Sequence, residues 1–212
     1  MIVPVPSFPP VVGESGGARI VRIVRAYAGC SLSVRRANLG ALIARGVDEP
    51  EAVVGIETNC AMFALGVLTA AGCQHPLLQK KYVNEMAFAW LVQIGNDLGA
   101  WRLPAVSELI PTGAAIWYEI VGENDDHVEF VTEPPDEHGG GGRPNNEITI
   151  GRGDYHVSWS RPIHRWLDPE ALGLPDAMAV GGDDPTEAPT RPELPPAPSV
   201  APPADPDATK KP

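Results

Sequence analysis

The feature that most constrains this chain is an almost unbroken apolar run that begins at Cys60 and stops at Gly72. Thr58 and Asn59 precede it, and their short side-chain oxygens can accept an otherwise unpaired backbone N–H at the start of a helix. Gly72 suits the left-handed position just after a helix ends. Because the run is apolar on all sides, it predicts a helix that is buried in the core.

Cys60 falls in the first turn of this predicted helix. The unpaired N–H groups and the helix dipole at that end favour a thiolate, which is the nucleophilic form of cysteine. Taken alone, a cysteine at such a position is more often a small buried hydrophobe. The helix therefore makes Cys60 a candidate nucleophile, and other parts of the chain must decide between the two interpretations.

The charge and cysteine content limit the classes of function. The 16 basic and 27 acidic residues give a formal net charge of −11, which disfavours sequence-independent nucleic-acid binding because such binding neutralises phosphates. No apolar run approaches the roughly 18 residues of a membrane span. The cysteines Cys30, Cys60 and Cys73 lack the paired spacing of a structural zinc site. We therefore expect no nucleic-acid partner, no membrane span, no metal and no cofactor.

The composition divides the chain into three parts. Prolines and glycines in residues 1–17 predict an extended arm. Residues 18–174 hold predicted helices followed by predicted short strands, which is an α+β layout. Residues 175–212 hold 11 of the 24 prolines and almost no large apolar residues, so this acidic tail should be disordered or extended.

Within the central part, apolar periodicity predicts the secondary structure. The predicted helices cover residues 18–27, 38–45 and 60–71, with a long fourth helix from Leu77 to Gly95 or Gly99. The predicted strands cover residues 114–121, 127–132, 147–150 and 155–159. The glycine-rich residues 134–146 predict a flexible loop, and residues 161–172 predict a last packed segment.

His127 is the histidine best placed to serve a cysteine nucleophile. A thiol nucleophile needs an imidazole within hydrogen-bond distance, and the imidazole needs a third group that fixes its orientation. His127 begins a predicted strand, so a helix N-terminus packed across the sheet can reach it. Along that strand Val128 and Phe130 share one face, whereas His127, Glu129 and Val131 share the other.

Three segments, in this order, resemble a known family. They are N-C-A-M-F at residues 59–63, P-T-G-A-A-I-W at residues 111–117 and H-V-E-F-V at residues 127–131. They are similar to the nucleophile helix, the P-x-G-D strand and the H-V-x strand of the NlpC/P60 and CHAP cysteine peptidases. The resemblance implies a papain-like fold and cleavage of peptide or amide bonds in peptidoglycan. Asn59 and Ala114 each stand where members often carry aspartate.

The family's third catalytic position is a polar residue on the strand after the histidine strand. Asn146, Glu147, Asp154 and His156 all compete for it. Residues 148–155 resemble a CHAP segment in which a glutamate and an asparagine follow the strand, and Asp154 falls on the second of these. The resemblance therefore implies a catalytic set of Cys60, His127 and Asp154.

Three further residues are candidates for the oxyanion hole or for substrate binding. Asn59 directly precedes the nucleophile, and the resemblance implies that the Tyr27 hydroxyl lies near the oxyanion hole. Trp117 could line a sugar-binding groove. Packing in the core is the competing interpretation for both Tyr27 and Trp117, because large aromatic side chains are usually buried.

Other functions stay open at this point. The same catalytic set would serve a papain-like deamidase, transglutaminase or acyltransferase that acts on a protein, and a non-catalytic binding module would need only a buried Cys60. A metal site from His127, His138 and His156 lacks tight ligand spacing.

The N-terminus predicts a protein that is made in the cytoplasm without a secretory signal, because no basic residue precedes its apolar positions. A wall hydrolase would then need a dedicated secretion system or a phage-like particle for export. The proline-rich tail would serve as its tether to that partner.

Overall fold

The structure is a computed structural model that describes residues 7–30, 42, 60–79, 86–105, 109–118, 126–134, 137–140, 148–152 and 162–175 of the 212. Three predictions lie outside these residues: the strand over residues 155–159, the tail from residue 176 onward and, apart from residue 42, the helix over residues 38–45. The account below concerns the described residues only.

The described α-helices all come before the sheet. They are α1 (Gly16–Tyr27), α2 (Cys60–Ala70) and α3 (Ala87–Asp97). The Ser15 hydroxyl caps α1 by accepting the Ala18 N–H at 3.1 Å. Nearly every residue of α2 is buried, and Gly72 beyond its end has a φ of 91°. The structure thus confirms the predicted buried helix that begins at Cys60 and its glycine stop.

Six described strands form one antiparallel sheet. They are β1 (Trp101–Arg102), β2 (Ala115–Tyr118), β3 (His127–Glu133), β4 (Glu137–Gly140), β5 (Thr149–Arg152) and β6 (Ile163–Leu167). Their order across the sheet is β1-β6-β2-β3-β4-β5. Helices α1 and α2 pack on β3, and α3 packs on α2. The predicted α+β class is therefore confirmed, with three described helices on a six-stranded antiparallel sheet.

The predicted long helix from Leu77 is wrong in its first part. A 3₁₀ turn occupies Pro76–Gln79, and the α-helix begins only at Ala87, with residues 80–85 outside the described part. The predicted end of that helix agrees with the structure, because Gly99 has a φ of 60° just after α3. Of the predicted last segment, residues 162–172 pack as expected, with β6 and a second 3₁₀ turn, Glu170–Leu172.

The predicted loop over residues 134–146 contains a strand. In β4, Gly139 pairs with Phe130 on one side and with Ile150 on the other. A Cβ atom at Gly139 would lie 2.9 Å from the Thr149 carbonyl oxygen and 3.3 Å from Val24 Cγ1 of α1. Glycine is needed here because another backbone and a helix approach the strand closely, so Gly139 marks close packing rather than a loop.

The two faces of β3 belong to different clusters of buried apolar residues. Val128 and Phe130 join the main core with the helices, and the rings of Phe130 and Phe63 meet edge to face at 6.3 Å. Val131 joins a smaller cluster with Ile116 and Tyr118. The predicted alternation along β3 is thus confirmed, and His127 and Glu129 lie on the face of the smaller cluster.

A buried arginine ties α1 to the C-terminal end of α2. Arg19 is fully buried, and its guanidinium donates to the carbonyl oxygens of Ala71 at 3.0 Å and Pro175 at 2.6 Å. Its Nε lies 3.5 Å from a carboxylate oxygen of Glu14. These contacts compensate the buried charge and hold α2 in place from the end opposite Cys60.

Helix α1 meets the turn before β2 at two glycines, and this contact generates a stability prediction. A Cβ atom at Gly113 would lie 2.5 Å from Gly17 Cα, and the φ of Gly113 is 83°. We expect Gly113→Ala to lower the free energy of unfolding by about 1–2 kcal/mol for the left-handed backbone and by a further 1–3 kcal/mol or so for overpacking. Urea denaturation measures the loss.

Gly99→Ala is the matched control. Gly99 also has a positive φ, of 60°, but a Cβ atom there would meet no atom within 4 Å. It should therefore show only the backbone part of the loss. Equal losses in the two variants would contradict the close approach of α1 to Gly113.

Candidate active site

The side chain of Cys60 lies at the start of α2, the most buried of the described helices. Cys60 is the first residue of α2, is a free cysteine and is 5% exposed. Its side chain interacts with that of His127, the first residue of β3, and this interaction helps to raise the pKa of His127. The structure thus brings together the two side chains that the sequence proposed as nucleophile and base.

His127 is itself enclosed, with an exposure of 6%. Its register partner on β2 is Tyr118, and the two rings stack at a tilt of 26° with their centroids 6.3 Å apart. Its Nε2 atom lies 3.3 Å from Oε1 of Glu129, two residues along the same strand. The imidazole therefore has a thiol and a carboxylate as polar partners.

Glu129 lies between two histidines. One carboxylate oxygen, Oε1, faces His127, and the other, Oε2, lies 2.5 Å from Nδ1 of His138 on β4. The sheet register explains this second contact, because His138 pairs with Val131 and so stands diagonally across from Glu129 on the same face. The exposure of Glu129 is 2% and that of His138 is 5%, so water is largely excluded from this chain of groups.

The contacts of the site decide which forms of the groups carry charge. Burial opposes protonation of His127, but the hydrogen bonds and charges of Cys60 and Glu129 outweigh it and raise the pKa of His127 to about 9. Burial likewise opposes ionisation of Glu129, but His127 and His138 lower the pKa of Glu129 to about 2. At neutral pH the site therefore holds an imidazolium against the Cys60 sulfur and a carboxylate behind it.

Of the other sequence-predicted site residues, the structure describes Tyr27 and Trp117. Asn59 and Asp154 fall outside the described residues. The ring of Tyr27 packs against those of Phe8 and Phe63, each at 6.3 Å, and burial raises the pKa of its hydroxyl well above the usual value. The structure therefore gives Tyr27 the contacts of a packing residue.

The ring of Trp117 packs against three other rings. It contacts Phe88 at 5.2 Å, Trp101 at 5.6 Å and His164 at 4.4 Å between ring centroids. Its Nε1–H donates to Asp126 Oδ1 at 3.0 Å. These contacts favour the packing interpretation, and the Asp126 bond anchors the residue that directly precedes His127.

Sequence reasoning missed Glu129 and His138 as members of the site. The signal for Glu129 was present, because the alternation of β3 places it on the face of His127. His138 was assigned to a glycine-rich loop, and only the pairing of β4 with β3 brings it to Glu129. Within the described part of the chain, no group of three His, Cys, Asp or Glu side chains is arranged to hold a metal ion.

Comparison of the chain with protein-family models, with characterised proteins and with solved structures finds no match. Among the described helices, none is long and apolar enough to cross a membrane. The argument for a function therefore comes from the chemistry of the site.

The contact between Cys60 and His127 predicts a difference in thiol reactivity. Cys73 is the matched control, because it is also 5% exposed but faces the Leu172 carbonyl oxygen at 3.5 Å, and burial raises its pKa to about 11. We expect iodoacetamide at pH 7 to alkylate Cys60 at least tenfold faster than Cys73, because an imidazole next to a thiol can serve as its base. Peptide mass spectrometry over a time course measures both rates.

Removing the imidazole should abolish this difference. In His127→Ala the two buried thiols should react at similar slow rates, while circular dichroism shows a folded protein. A Cys60 rate that is unchanged in His127→Ala would mean that the imidazole does not activate the thiol.

The ion pair of His127 and Glu129 also predicts how stability depends on pH. The pKa of Glu129 is lowered from 4.5 to about 2, so its contribution is complete above pH 4.5 and is lost as the pH falls through 2. The pKa of His127 is raised from 6.5 to about 9, so its contribution is complete below pH 6.5 and is lost as the pH rises through 9. Thermal unfolding across this range should show both losses.

Glu129→Gln separates this pair from the other titrating groups. The variant should be less stable than the parent at pH 7, and its stability should fall less steeply between pH 4.5 and pH 2. Parallel acid-side curves for the two proteins would show that Glu129 is not ionised in the folded state.

Proposed function

We propose that this protein is a cysteine hydrolase with a papain-like fold that cleaves peptide or amide bonds of peptidoglycan. The observation that carries the proposal is the interaction between Cys60, at the N-terminus of a buried helix, and the imidazole of His127. A cysteine enclosed in a core needs no polar partner to pack well, whereas a nucleophile needs a base within reach. The choice of peptidoglycan rests on the resemblance of residues 59–63, 111–117 and 127–131 to NlpC/P60 and CHAP peptidases.

The reaction would be acyl transfer in two steps. The Cys60 thiolate attacks the carbonyl carbon. The tetrahedral oxyanion then accepts a hydrogen bond from the backbone N–H of Cys60 at the start of α2. Collapse of this intermediate breaks the C–N bond, and the imidazolium of His127 protonates the leaving amine. Neutral His127 then removes a proton from water, and the resulting attack on the thioester carbonyl releases the acid and restores the thiolate.

Glu129 takes the orienting role in this scheme. Its carboxylate lies 3.3 Å from Nε2 of His127 and stabilises the imidazolium that each cycle requires. The family resemblance placed this role on Asp154, which lies outside the described residues. Glu129 is the carboxylate that the described fold brings to the imidazole.

Hydrolysis of purified peptidoglycan tests the proposal. We expect the parent protein to release soluble muropeptides and Cys60→Ala to lower the rate by at least a thousandfold, since the nucleophile is lost. Mass spectrometry of the digest identifies the bond, because cleavage of a peptide or amide leaves one new amine and one new carboxylate.

Cys73→Ala serves as the control for removing a buried thiol. Cys73 has the same 5% exposure as Cys60, but its sulfur contacts a backbone carbonyl instead of an imidazole. Its variant should keep the hydrolysis rate of the parent. If Cys60→Ala digests peptidoglycan as fast as the parent, the nucleophile assignment is wrong.

A further inference from the structure

The reaction scheme above leaves one buried histidine of the site without a role. His138 is 5% exposed, and its Nδ1 atom lies 2.5 Å from Oε2 of Glu129. It belongs to β4, whereas the groups of the reaction scheme come from α2 and β3. A buried imidazole has a desolvation cost, so its contact with a carboxylate calls for an explanation.

The carboxylate of Glu129 has to meet two requirements in a nearly dry site. It must stay ionised, which requires hydrogen-bond donors to replace water. It must also keep one oxygen turned toward His127, although a carboxylate can rotate about its terminal bond. A donor on Oε2 satisfies both requirements, because it stabilises the charge and leaves Oε1 facing His127 Nε2 at 3.3 Å.

We propose that His138 is a positioning residue that acts on the active site through Glu129: its Nδ1–H holds the carboxylate in the orientation that supports the His127 imidazole. The inference rests on the proposed function only in taking Cys60 as a nucleophile activated by His127. His138 itself touches neither the sulfur nor the imidazole in this scheme.

The groups around His138 favour an effect on the active site that passes through Glu129. From β3 it faces Glu129 and, beyond it, His127, while its register partner on β5 is the uncharged Gly151. Helix α2 contributes only Cys60 as a titratable side chain. The neighbouring Glu137 is engaged by Arg25 of α1 and by Thr132.

Two variants of similar size separate the effect of the hydrogen-bond donor of His138 from the effect of its side-chain volume. The amide nitrogen of asparagine takes nearly the position of histidine Nδ1 and can donate to Glu129, whereas leucine has the same branching and no donor. We expect His138→Leu to move the acid limb of the pH profile of Cys60 alkylation upward by about one unit, which is about tenfold slower alkylation on that limb. His138→Asn should keep the profile of the parent.

His75→Leu is the control for losing a buried, carboxylate-paired histidine elsewhere. His75 is 7% exposed, and its Nε2 lies 3.2 Å from Asp97 Oδ2. Its variant should leave the alkylation profile unchanged. Glu129→Gln provides the coupling test, because adding His138→Leu to Glu129→Gln should produce no further shift if His138 acts through Glu129.

Each alkylation profile either supports or overturns the role that we propose for His138. A parental profile in His138→Leu, or an equal shift in the Glu129→Gln background, would overturn it, as would failure of His138→Asn to restore the profile. If His138→Leu does not fold, His138→Ala replaces it with the same expected shift. Iodoacetamide is the probe throughout, so failure of peptidoglycan hydrolysis would sink the proposed function while leaving this test intact.

Discussion

The structure of the site depends on one interaction, between Cys60, the first residue of α2, and His127, the first residue of β3. It joins the helical layer to the sheet at the point where each element begins. A helix N-terminus carries partial positive charge, and the imidazolium of His127 adds a full one. The fold thus places both positive groups next to the candidate nucleophile.

Burial makes this contact consequential. Cys60, His127, Glu129 and His138 are all at most 6% exposed, so each charge needs a partner within the protein. Helix α2 provides the thiol, and strands β3 and β4 provide the imidazole, the carboxylate and the second imidazole. The raised pKa of His127 and the lowered pKa of Glu129 follow from this order. The same low-dielectric environment that makes an unpaired charge costly also strengthens each contact in the chain.

Much of the fold could be predicted from the sequence, because local signals and tertiary structure agree there. The apolar run from Cys60 and the stop at Gly72 predicted α2, and the alternation from His127 predicted both faces of β3. Prediction failed where tertiary contacts override local preference. The glycines of β4 are poor strand formers, but they allow β5 and α1 to approach closely. The 3₁₀ turn at Pro76–Gln79 carried no periodicity signal, since the apolar spacing of the predicted helix already begins at Leu77.

By itself, the sequence determined which helix is buried, that Cys60 opens it and that His127 begins a strand, because periodicity and capping act over a few residues. Only the tertiary structure decided which groups surround the imidazole. Glu129 lies two residues from His127, but its second partner, His138, arrives through the pairing of β4 with β3. Strand pairing depends on backbone hydrogen bonds between distant segments and on the room that glycines leave. The local sequence pattern predicts neither the strand pairing nor the space that the glycines leave.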